Sequence, residues 1–103
     1  MKSYYVYILE CSDKSFYIGI TSNIERRIEE HNRGDKKNSY TYSRRPVILK
    51  WMEVFTNPEE AISIEKQLKG WSRRKKMALI EADWDKLVLY SRNYAEYGKY
   101  GLR

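Results

Sequence analysis

Tyr4-Tyr5-Val6-Tyr7-Ile8-Leu9-Glu10, the polar run Cys11-Ser12-Asp13-Lys14-Ser15, and Phe16-Tyr17-Ile18-Gly19-Ile20 decide how this chain folds. The flanking segments are β-branched and aromatic, the composition of strands, and the five residues between them are turn-like. Together they predict an N-terminal antiparallel hairpin. Side chains alternate along a strand with period two, so Tyr5 and Tyr7 share one face and Tyr17 and Gly19 share a face of the partner. A loop with an odd number of residues, such as Cys11 to Ser15, puts both pairs on the same side of the sheet; a one-residue slip reverses this. Gly19 weakens a strand, which points to the close approach of a backbone or ligand there.

Outward from the hairpin, Asn23 caps a helix (NIERRIEEHN) that Gly34 stops. Asp35 to Arg45 (DKKNSYTYSRR) is the longest irregular segment, the kind of loop that is functional or mobile. Pro46 leads into a third strand, Val47 to Phe55. Asn57-Pro58-Glu59-Glu60 then combines an N-cap, Pro at the first helical position and Glu three residues after the cap. That helix runs to Leu68-Lys69 and ends at Gly70. Ser72 caps another, which carries Arg73, Arg74, Lys75 and Lys76 in its first turn, where cations oppose the helix dipole. Trp84 to Arg103 holds a short helix and a Tyr/Gly tail. The order ββαβαα predicts an α/β fold, a small three-stranded, mainly antiparallel sheet flanked by helices, forming one domain over residues 1–103.

The formal net charge of +6 favours an anionic partner: nucleic acid, a membrane surface or an acidic protein. A single cysteine, Cys11, makes neither an internal disulfide nor a zinc cluster. No stretch resembles a signal peptide or reaches the ~18 apolar residues of a membrane span, so a cytoplasmic location is expected. Ten tyrosines put many hydroxyls in or near the core.

Some residues sit where packing alone would not put them. At ~100° per residue, Ile24 and Ile28 form the buried stripe of the first helix; Arg27 and His31 fall beside it and Arg26 points to water. Arg27 either lays its stem along apolar surface or serves a site. His31, the only histidine, is either a helix-terminal residue favoured by the dipole or a proton carrier or phosphate contact. In the second helix Ala61, Ile64 and Leu68 make the stripe, and Glu65 lies within its arc. A buried carboxylate needs a cation, either a basic side chain such as Arg27 or a metal ion. Tyrosines in strands ordinarily pack across them. Yet Tyr, Arg, His and Glu gathered on one sheet face of a basic protein suit phosphodiester hydrolysis.

At these residues the chain resembles the GIY-YIG nuclease family, in particular its small stand-alone members related to the excision-repair nuclease subunit and to structure-selective endonucleases. Tyr5-Val6-Tyr7 stands at the first family motif, and Tyr17-Ile18-Gly19 matches the second letter for letter. Thr21 to Arg27, with His31-Asn32, resembles the family's first helix, with Arg27 at the place of its catalytic arginine. Glu65, in Glu65-Lys66-Gln67-Leu68-Lys69-Gly70-Trp71, aligns with the metal-binding glutamate. The likeness runs from about Tyr4 to Ile80, in a domain of the size such modules have. Tyr5 replaces the glycine of the first motif and leaves Tyr7 in place. Ile20 stands where some members have lysine, and Asn93 is the candidate for an asparagine that some use near their C-terminus.

The resemblance implies an endonuclease acting on DNA, favoured over RNA, with selectivity for structure or little for sequence, and a connection to DNA repair. Glu65 would hold one Mg²⁺ or Mn²⁺ ion. Arg27 would bind the non-bridging phosphate oxygens. Tyr7 would be the base, Tyr17 its hydrogen-bonding support and His31 the alternative base. Arg33, Lys36, Lys37, Arg44 and Arg45 would grip the nucleic-acid backbone, together with Lys69, Arg73, Arg74, Lys75 and Lys76. No membrane partner is expected; a protein partner could supply specificity, and the chain would be a monomer or weak dimer. Two other readings stay open: a nucleic-acid-binding module with weak or no cleavage, and a protein-interaction domain whose charge is only a solvated surface.

Overall fold

A computed structural model of the chain describes residues 2–92. The hairpin forms where the sequence places it: β1 is Tyr4–Glu10 and β2 is Phe16–Thr21. Asp13 closes the turn by accepting from the Ser15 backbone N–H at 3.0 Å. The third strand, β3, is Ile48–Phe55. The sheet order is β2-β1-β3 with both pairings antiparallel, so β1 is central. Its residues Val6, Tyr7, Ile8 and Leu9 are all fully buried, as expected of a strand covered on both faces. A bulge between Ile8 and Leu9 shifts the register against β3.

The first helix, α1, is Ile24–Arg33. Asn23 caps it, its side chain accepting from the Arg26 N–H at 3.1 Å, and Gly34 ends it at φ 75°, where a side chain would be strained. The second helix, α2, is Pro58–Lys69, with Asn57 Oδ1 accepting from the N–H groups of Glu59 and Glu60. Two helices follow, α3 (Arg73–Ile80) and α4 (Trp84–Arg92). Two compact units make up the chain, residues 1–65 and the remainder from 66, and the division falls inside α2.

In the first unit, Tyr7, Leu9, Cys11 and Val47 form a core against which Tyr17, Ile24, Ile28 and Leu49 pack. The segment 35–45 is more ordered than the irregular loop the sequence suggests. It contains a 3-10 turn over Tyr42–Arg44, and Thr41 inside it is 1% exposed. Asn32 ties its far end to α1, donating to the Val47 carbonyl at 3.2 Å and accepting from the Val47 N–H at 2.8 Å. The Arg45–Pro46 peptide is cis.

In the second unit, Leu68, Trp71, Ala78, Leu79 and Leu87 are buried. The cations that open α3 against the dipole have a local explanation. The Lys75 ammonium lies 4.5 Å from the Trp71 ring centroid and the Arg74 guanidinium 4.4 Å from that of Tyr90. For these two residues, cation–π attraction is of the same size as the unfavourable dipole contribution at a helix end and offsets it.

Candidate active site

Register builds the site. Tyr7 pairs with Gly19 and Leu9 pairs with Tyr17, so Tyr5, Tyr7, Tyr17 and Gly19 share one face of the sheet. Ile24 and Ile28 set α1 against that face. One turn of helix then separates half-buried Arg27 from His31, while Arg26 is exposed. A Cβ on Gly19 would lie 2.5 Å from Tyr7 Cζ and 3.0 Å from Cε2. The close approach that the glycine signals is therefore by a side-chain ring, not by backbone or ligand. Ile20 pairs with Val6 and so belongs to the opposite face.

The Tyr7 hydroxyl lies 3.1 Å from His31 Nε2, and His31 Nδ1 lies 2.8 Å from the Thr41 hydroxyl. Tyr17 meets the His31 ring edge-on at 5.1 Å between centroids and stacks on Tyr40 at 6.2 Å. Arg27 Nε donates to Glu30 Oε1 at 3.1 Å, and Arg26 reaches the same carboxylate at 3.7 Å. Tyr17, Arg27, Glu30, His31, Lys36 and Ser39 are among the residues lining a cleft of about 420 Å³. Burial pushes the Tyr7 phenol up to about 12; Tyr17 and Glu65 add to the rise, and the Arg27 guanidinium opposes it. Burial also lowers His31, helped by the charges of Arg27 and Lys36, with Glu30 acting the other way. Both groups are held uncharged at neutral pH.

Glu65 is half-buried on α2, near enough for its charge to act on the Tyr7 hydroxyl. Among the described residues no group of three or more His, Cys, Asp or Glu is arranged to hold a metal ion. One carboxylate nevertheless fits the way Mg²⁺ binds, through one or two carboxylates with the remaining positions taken by water and substrate phosphate. Glu65 is the residue here that would hold such an ion.

The basic residues divide sharply. Lys36 lines the cleft and Lys37 is exposed beside it in sequence. Arg33 makes a two-point pair with Asp35, at 3.1 and 2.7 Å. Arg44 and Arg45 brace the 35–45 segment. Arg44 donates to Asp13 at 3.0 Å and to the Tyr40 carbonyl at 2.8 Å, its guanidinium 3.9 Å from the Tyr40 ring centroid. Arg45 donates to the Tyr42 carbonyl at 2.7 Å and lies over the Tyr42 ring. Lys69, Arg73, Arg74, Lys75 and Lys76 belong to the second unit. Lys75 is only 4% exposed, which takes it out of reach of a surface phosphate. Asn93 and the tail tyrosines lie outside the described residues. Sequence reasoning missed Thr41, Glu30 and Tyr40. Nothing in the polar string around Thr41 marks it as buried, and Glu30 reads as one of several solvated charges on α1.

A profile of the GIY-YIG catalytic domain matches residues 3–78. A UPF0213 protein of Staphylococcus haemolyticus is 46% identical over 81 residues, covering 79% of this chain and 98% of that protein. A UPF0213 protein of Syntrophus aciditrophicus is 45% identical over 87 residues, covering 84% of this chain and all of that one. Among solved structures, the solution NMR structure of a UPF0213 protein from Bacillus halodurans superposes with a TM-score of 0.52 at 42% identity, covering 78% of this chain and 84% of that one. That of a protein from E. faecalis gives 0.57 at 40% identity, over 80% and 86%. GIY-YIG domains are nuclease domains that generally use a divalent metal ion, and no described helix is long and apolar enough to cross a membrane. With its matched motifs gathered on one sheet face, the chain belongs to the GIY-YIG catalytic domain family.

Proposed function

We propose that this chain is a divalent-metal-dependent endonuclease that hydrolyses phosphodiester bonds in DNA, selecting structure or acting with little sequence preference. The observation that carries this reading is the contact between Tyr7, buried and central in the sheet, and His31, at the edge of a cleft that Arg27 also lines. Arg27 binds the non-bridging oxygens and stabilises the charge that grows in the transition state. Tyr7 takes a proton from the attacking water as its own phenol proton passes to His31, 3.1 Å away, while the water oxygen forms the new bond to phosphorus and the P–O ester bond breaks. The leaving oxygen is protonated from solvent. Tyr17 supports the arrangement and His31 shares the proton inventory. A metal ion on Glu65 would supply electrostatic stabilisation to the phosphate and leaving oxygen. Lys36 and Lys37 lie closest in sequence to the cleft and would contact the backbone phosphates, with Arg33 joining when phosphate displaces Asp35. Lys69, Arg73, Arg74 and Lys76, all in the second unit, would also contact backbone phosphates, with DNA repair as the setting and a partner protein as one source of specificity.

Cleavage of nicked, branched and supercoiled DNA with Mg²⁺ or Mn²⁺, beside a Glu65→Ala control, tests the reading. Cutting that requires the metal and vanishes in the control is the expected result. Intact binding with no cutting by the wild type refutes the enzyme and leaves a binding module, for which RNA is the next ligand.

A further inference from the structure

Tyr7 and His31 present a donor-counting problem whose solution reaches a third residue. At neutral pH the Tyr7 phenol keeps its proton and must donate it. The Arg27 guanidinium near it has donors only and can offer no acceptor. The acceptor within reach is His31 Nε2, at 3.1 Å. An Nε2 that accepts requires a neutral imidazole with its proton on Nδ1, and His31 is held neutral by burial and by the neighbouring charges of Arg27 and Lys36. The Nδ1–H then points at the Thr41 hydroxyl, 2.8 Å away, which must accept it. Thr41 can do so because its own hydrogen has an outlet in Ser39 Oγ at 3.4 Å. The chain of donors runs one way, from Tyr7 through His31 and Thr41 to Ser39.

We propose that Thr41 is a positioning residue that fixes His31 in the Nδ1–H tautomer, so that Nε2 is open to receive the Tyr7 proton. The functional part of this rests on Tyr7 acting as the base. When Tyr7 takes a proton from water, its phenol proton passes to His31 Nε2; the imidazolium so formed keeps its Nδ1–H bond to Thr41, with the Glu30 carboxylate as the nearby opposing charge. The other tautomer would aim an N–H at a phenol that has its own proton to place. Thr41 is suited to the task by burial: at 1% exposure no water competes for its hydroxyl. The 3-10 turn beginning at Tyr42, the Arg44 N–H bonded to the Thr41 carbonyl at 3.0 Å and the Asn32 clamp on Val47 hold its backbone in place. The segment 35–45 thus serves the site from behind as well as lining it.

The chain has a single histidine, so the ring nitrogens of ¹⁵N-labelled, untagged protein give unambiguous NMR signals. At neutral pH Nδ1 should show the pyrrole-type signal and Nε2 the pyridine-type one. Thr41→Val, close in shape but without the hydroxyl, should abolish that preference and reduce kcat about 10-fold with DNA affinity unchanged, in the range such supporting contacts show. Thr41→Ser should restore both. A wild-type ring with its proton on Nε2 overturns the assignment, as does a Thr41→Val variant that keeps the Nδ1–H form. Should Thr41→Val fail to fold, the wild-type spectrum and Thr41→Ser still decide. Failure of the nuclease reading would show separately, as absence of cleavage by a wild type whose tautomer is as stated.

Discussion

Replacing Gly19 by alanine should disable the site while leaving every polar group in it chemically intact. The added Cβ would stand 2.5 Å from Tyr7 Cζ. Carbon atoms rest comfortably at about 3.5–4.0 Å, so the ring must retreat by roughly 1 Å. It has nowhere to go cheaply, because Tyr7 is fully buried among Leu9, Cys11 and Val47. Overpacking of this kind costs about 1–3 kcal/mol, from which alanine's better strand entropy returns roughly 0.5–1. In a chain of this size each kcal/mol moves Tm by about 4–8 °C, so a fall of several degrees is expected. The same displacement takes the hydroxyl from 3.1 Å toward roughly 4 Å from His31 Nε2, beyond hydrogen-bonding range. Misplacement on that scale can cost about 100-fold in rate. Thermal unfolding and metal-dependent cleavage, measured on the same preparations, check the two effects separately. A variant with wild-type Tm and wild-type cleavage would refute the argument, since it would mean that the ring is not held over the glycine.

Glu30→Gln should free Arg27 and Arg26 from their shared counter-ion and tighten binding of a short oligonucleotide by up to about 5-fold, the limit set by exposed pairs. Weaker binding in low-salt titrations would contradict it. Because the folded state lowers His31's proton affinity, its contribution to stability is complete above the ordinary value of 6.5 and is lost as pH falls below it. Wild-type Tm should therefore fall more steeply between neutral and mildly acid pH than that of His31→Asn, and equal slopes would show that His31 is not desolvated.

The sheet face and its tyrosines were legible because each rests on a short-range rule. Strand period two and an odd-numbered turn put Tyr5, Tyr7, Tyr17 and Gly19 together, and the Ile24 and Ile28 stripe fixed the phase of α1 and so the inward lean of Arg27. The two strand boundaries that moved, to Thr21 and Ile48, did so by one residue each, where caps and turns compete with the ladder. The segment 35–45 was not legible. Its order depends on contacts far apart in sequence, Asn32 with Val47 and Arg44 with Asp13, which no periodicity announces. For the same reason Arg44, Arg45 and Lys75 read as a phosphate grip from charge alone, whereas their guanidinium and ammonium groups are engaged by carbonyls, a carboxylate and aromatic rings.

The opposed shifts of Tyr7 and His31 constrain how the proposed base can work. A phenol pushed up to about 12 by burial and an imidazole lowered by burial both favour the neutral pair, so a preformed tyrosinate–imidazolium pair is disfavoured in the resting site. Prior ionisation would add its cost to the barrier before any bond to phosphorus formed. Proton movement in step with attack avoids that intermediate, because the water's proton arrives at Tyr7 as the phenol's own departs for His31, so no tyrosinate forms and the imidazolium appears only as the bond to phosphorus is made. Such a transfer tolerates little error in position. That requirement accounts for a ring seated over a glycine on one side of His31 and a buried threonine on the other.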